Sequence, residues 1–206
     1  FVILFKMVRY HQKKYPSYIP LHLEEVAGHF DVRRVFPTLP YSLHTEYSYG
    51  KRTFQSELIQ KYPEIVRANQ DGIPQLWKNE VWAESFAAFL MELTKNMPAP
   101  SVIEIHPPFH DYVGSMREFI EIYQVFETQI KSRWQETDIL IENRCGSRYR
   151  GGRFLISTAP QIKELCAWIE SEHLKLRIAF DIPQLYTAHQ VTPKRSYEIC
   201  ALLEEL

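Results

Sequence analysis

Three short apolar runs in this chain end on residue types that hold metal ions or move protons. Val102, Ile103, Glu104 and Ile105 lead to His106. Ile139, Leu140 and Ile141 lead to Glu142, and Arg177 to Phe180 lead to Asp181. A neutral imidazole suits a divalent ion. A carboxylate at the end of a buried strand is costly unless it is paired, hydrogen-bonded or on a metal. The three ends stand 36 and 39 residues apart, and an amphipathic stretch fills each gap. That rhythm is a βα repeat whose strands deliver chemistry at one edge of a sheet.

Each end also has a plainer reading. Glu142 can pair with Arg144 or another arginine, and Asp181 can cap a turn before Pro183. His106 can bond to backbone; Pro107 and Pro108 stiffen the turn that presents it. Glu104 shares the face of His106 by the two-residue strand period, to orient it or to pair with an arginine. His44 is a further candidate ligand, with Glu46 on its face. His110 and His189 fall near the same edge. The loop from Arg144 to Arg153 holds Arg144, Arg148, Arg150 and Arg153, with Gly146, Gly151 and Gly152 among them. Arginine forks bind phosphate or carboxylate, and glycine lets backbone approach a ligand. The loop is either an anion site or a solvated basic segment, and it lacks the P-loop pattern.

The elements that must position these residues follow from periodicity. Strands are expected at Phe1 to Met7, Tyr41 to Tyr47, Val102, Ile139 (just after Asp138) and Arg177. Leu23, Val26, Ala27 and Phe30 share a helical face, so Leu21 to Phe30 reads as a helix. Further helices are expected at Thr53 to Asn69, Gln75 to Lys95, Met116 to Trp134, Pro160 to His173 and Pro193 to Leu206. Ser115 and Thr158 are the expected caps. From Val102 onward the order is β-α-β-α-β-α, which implies a parallel sheet covered by helices.

The 206 residues suit a single domain, residues 1–206. A net charge of −1 excludes nucleic-acid binding driven by overall charge. Cys145, Cys166 and Cys200 are odd in number and never in a CxxC spacing, which fits a reducing cytoplasm and no disulfide framework. No run reaches the roughly 18 apolar residues of a membrane span. A closed (β/α)8 barrel needs about 250 residues, so about six βα units imply a barrel truncated at its C-terminal side or an open sheet.

His106 followed by proline, Glu142 followed by Asn143, and Asp181 on successive strands together resemble the xylose-isomerase-like TIM-barrel superfamily, over about Tyr41 to His189. That superfamily includes sugar isomerases and epimerases and the endonuclease IV group of abasic-site nucleases. The resemblance implies that Glu142 and Asp181 are metal ligands, with His106 and His44 matching histidines of the nuclease branch. Gln184 stands where that branch usually has a second histidine. The family's remaining ligands come from later strands.

The leading expectation is a divalent-metal-dependent isomerase or epimerase for a small sugar or sugar phosphate. Zn²⁺, Mn²⁺ or Mg²⁺ would sit on Glu142, Asp181 and His106, with His44 as a further ligand. Arg144, Arg148, Arg150, Arg153, Gln184 and His189 are the candidate substrate or anion contacts. One alternative is an abasic-site nuclease, with nucleic acid as partner. The other is a non-catalytic barrel-derived subunit whose unfinished sheet edge binds a partner or a second copy in a homodimer.

Overall fold

A computed structural model describes residues 23–26, 40–45, 56–65, 75–148, 152–195 and 197–204. Among the described residues, five short strands form one parallel sheet: β1 (Leu23–Val26), β2 (Tyr41–His44), β3 (Val102–Ile105), β4 (Asp138–Glu142) and β5 (Leu176–Ala179). Their lateral order is β1-β2-β3-β4-β5, so every crossover steps to the next place in the same direction. Among the described residues, six α-helices accompany them: α1 (Ser56–Lys61), α2 (Glu80–Leu93), α3 (Met116–Arg133), α4 (Ala159–Ser171), α5 (Ile182–Ala188) and α6 (Tyr197–Glu204).

The helices start where the sequence supplies acceptors for their free N–H groups. Asn79 Oδ1 accepts from Trp82 N–H at 2.8 Å to open α2. Ser115 Oγ accepts from Glu118 N–H at 3.2 Å to open α3. Ahead of α4, Gln161 Oε1 accepts from the backbone N–H groups of Ser157 and Thr158.

The strands alternate by the two-residue period. Ile103, Ile105, Ile139 and Ile141 are wholly buried and join Trp82, Phe86, Phe119, Tyr123 and Phe126 in one apolar core. At its centre Trp77 packs against Trp82, Phe86, Phe119, Tyr123 and Phe126 with ring centroids 5.3–6.2 Å apart. Burying each large aromatic contributes roughly 2–3 kcal/mol. Trp77 has φ +59°, a left-handed backbone that a bulky residue adopts only when its surroundings demand it. Its indole N–H donates to the carbonyl of His106 at 2.7 Å, so the core holds the end of β3 directly.

Three expectations are corrected. Leu21 to Phe30 is not a helix at Leu23–Val26: that segment is β1, and each of its residues pairs with one of β2. Pairing with a neighbouring strand overrides a local helical spacing carried by only a few residues. The segment after β5 holds α5, an additional helix with Pro183 in its first turn. Pro193 to Leu206 begins as a 3₁₀ turn, Pro193–Arg195, before α6. The expected strand at Phe1 to Met7 lies outside the described residues. Among the described residues, no helix is long and apolar enough to cross a membrane.

Candidate metal centre

The face of the sheet opposite the isoleucines carries the polar side chains. His44 ends β2, Glu104 lies in β3 with His106 just past it, and Glu142 ends β4. The register sets His44 beside Glu104 and Ile105 beside Ile141. One further step brings His106 level with Glu142. Ligand-type atoms of His44, Glu104, His106 and Glu142 all lie within 4.8 Å of one another.

Within this group the contacts form a chain. Glu104 Oε1 lies 3.3 Å from His44 Nδ1. His44 Nε2 lies 3.1 Å from His106 Nε2. His106 Nε2 lies 2.8 Å from Glu142 Oε2, and Arg144 Nη1 donates to that same oxygen at 2.7 Å. His44 and His106 are 4% and 1% exposed, so water competes little for these contacts.

Burial alone would push the Glu142 carboxyl up. The hydrogen bond and attraction of His106, then the charge of Arg144, outweigh it and hold the carboxyl at about 2. Glu142 is therefore an acceptor, and the proton between it and His106 sits on Nε2. Glu104 fixes His44 the other way round: Nδ1–H faces the carboxylate, and the Nε2 lone pair faces the centre. A carboxylate behind a histidine is the usual support for a metal-bound imidazole.

The donor set fits a divalent ion. Bonds of about 2.0–2.2 Å place neighbouring ligands roughly 3–3.5 Å apart. His44 Nε2, His106 Nε2 and Glu142 Oε2 approach that spacing, with neighbouring separations of 3.1 and 2.8 Å. Two imidazoles and one carboxylate form a three-ligand set of the kind that leaves a position open for substrate. Glu104 stands behind His44 in this arrangement. Among the contacts of the described residues, Glu104 Oε1 faces His44 Nδ1.

The remaining candidates occupy other places. Asp181 is the N-cap of α5, with Oδ1 accepting from Gln184 N–H at 3.0 Å. It adjoins the centre: burial, then the Glu142 carboxylate, raises its carboxyl, while bonds from Gln184 oppose the rise. Asn143 locks the two strand ends together. Its Oδ1 accepts from Asp181 N–H at 2.8 Å, and its Nδ2 donates to the Asp181 carbonyl at 3.0 Å. Gln184 Oε1 accepts from Cys145 N–H, and His189 Nε2 accepts from Ala159 N–H at the start of α4. Burial pushes His189 down. Arg148 and Arg153 are exposed; Arg150 and Glu46 lie outside the described residues.

Among the described arginines of the loop, Arg144 reaches the centre. Its Cζ lies 5.4 Å from the Phe154 ring, which stacks on Phe109 at 4.0 Å. Its Nε is buried with no hydrogen-bond partner among the described residues. Leaving a buried donor unmatched costs about 1–3 kcal/mol.

No family model, curated protein or solved structure matches this chain.

Proposed function

We propose that this chain is the metal-binding part of a xylose-isomerase-like (β/α)8 barrel, acting as a divalent-metal-dependent isomerase or epimerase on a small sugar or sugar phosphate. The observation that carries the reading is the convergence of His44, His106 and Glu142 from successive parallel strands onto one sheet face. The strand order supports the barrel. A sheet that never reverses has no switch point, and right-handed crossovers keep its helices on one side. Curling the sheet shut covers the other side.

His44, His106 and Glu142 would hold the ion, with Glu104 orienting His44. A bound divalent ion supplies Lewis acidity toward a substrate carbonyl or hydroxyl oxygen. Glu142 stays ionised through the working pH range because His106 and Arg144 stabilise its charge. Asp181, beside it and raised, is the carboxyl best suited to hold a proton during transfer. For His106 to serve as a ligand through Nε2, the proton on that nitrogen must move to Nδ1 or be released.

A second reading is hydrolysis at abasic sites. The two-histidine, one-carboxylate set favours it, since imidazoles suit zinc. Gln184 and the net charge of −1 weigh against it.

The test is metal content after equilibration with Zn²⁺ or Mn²⁺, followed by NMR of sugars and sugar phosphates and cleavage of an abasic duplex. The expected result is one ion per chain, lost in His106→Ala, with turnover of a sugar substrate. Duplex cleavage without sugar turnover would move the assignment to the second reading. An ion count unchanged in His106→Ala would refute the centre itself.

A further inference from the structure

We propose that Arg144 reads an oxyanion of the substrate beside the metal position, so that the preferred substrate carries a phosphate or carboxylate at the reacting centre and not at a distant end. The inference rests on the metal reading above and narrows its substrate class.

The side chain is fixed before any ligand arrives. Arg144 follows Glu142 by two residues, and its backbone N–H donates to Ile156 O at 2.9 Å, tying it to the returning loop. The guanidinium is held near the Phe154 ring, and the side chain is 13% exposed. Nη1 is engaged with Glu142 Oε2, while Nε has no acceptor among the described residues. Guanidinium offers five N–H donors in a planar fork that matches two oxygens of one oxyanion.

Arg148 and Arg153 are exposed, without the burial that fixes Arg144.

The test is calorimetric titration of the zinc-equilibrated protein with inorganic phosphate, and with acetate in a second arm. Arg144→Gln is expected to weaken phosphate binding to the zinc-saturated protein about tenfold or more, and by a larger factor than any loss of zinc affinity that follows from removing the bond to Glu142 Oε2. Arg144→Lys keeps the charge without the fork and should fall between; it carries the test alone if Arg144→Gln fails to fold. Unchanged phosphate affinity in both variants would overturn the proposal. So would equal losses of phosphate and zinc, which would make Arg144 only a support for Glu142. Acetate binding that matches phosphate in strength and in dependence on Arg144 would assign the group as carboxylate. Absence of zinc uptake by the unaltered protein would overturn the metal reading along with this one, and the zinc titration tells the two failures apart.

Discussion

Glu104→Gln separates a supporting carboxylate from a ligand. In the structure Glu104 faces Nδ1 of His44 at 3.3 Å, while Nε2 of His44 faces the centre. Removing a carboxylate behind a metal-bound histidine typically costs 10–100-fold in affinity, or roughly 1.4–2.8 kcal/mol. Three features place this case near the low end. The contact is long, the Glu104 side chain is 21% exposed, and glutamine keeps an acceptor oxygen in place. The expected loss of zinc affinity is therefore about tenfold. Competition against a chelator of known affinity at fixed pH measures it, with His106→Ala as the direct-ligand control and a much larger loss expected there. Equal losses in the two variants would make Glu104 a ligand and refute the chain of contacts inferred here. No loss at all would mean that His44 is oriented by something else.

Acid should weaken the metal-free protein through Glu142. Its carboxyl is lowered from the ordinary 4.5 to about 2, so the stability it contributes is present above 4.5 and is lost as pH falls toward 2. That difference corresponds to roughly 3 kcal/mol at most. Asp181 is raised, so its contribution is present at low pH and fades as pH rises, partly offsetting the first. Urea denaturation between pH 5 and about 2 should show a clear decline in the unaltered protein and a flatter profile in Glu142→Gln; parallel profiles would count against the pairing. Asn143→Ala removes two hydrogen bonds to the backbone of Asp181 and should cost about 2–3 kcal/mol in the same assay. A loss under about 0.5 kcal/mol would show that α5 does not depend on this link.

The strands that end at His106 and Glu142 were legible because runs of isoleucine, leucine and valine stand between clear helical periods. Their core-facing isoleucines also follow from the two-residue period. β1 was not legible: four residues are too few to distinguish one period from another, and its partner is a separate strand. α5 was hidden by Pro183, which reads as a turn but is equally suited to a helix's first turn. His44, His106 and Glu142 could be nominated from strand ends. The partner of Glu104 could not, because it depends on which strand lies alongside and at what register. Likewise Asp181 has both features read from the sequence, a cap position and nearness to Glu142, and only the packing shows them together.

The lateral pairing of the strands has a consequence for how the centre comes into being. His44 and His106 are 62 residues apart, so no local segment brings them together. Because side chains alternate, slipping β3 by one residue would turn Glu104 and His106 into the aromatic core and bring Ile103 and Ile105 out. An ion that needs both histidines would bind only the correctly aligned sheet, stabilising it over slipped forms by mass action. Metal uptake during refolding would thus act as a proofreading step for β-strand alignment, and its rate would report when β2, β3 and β4 first agree.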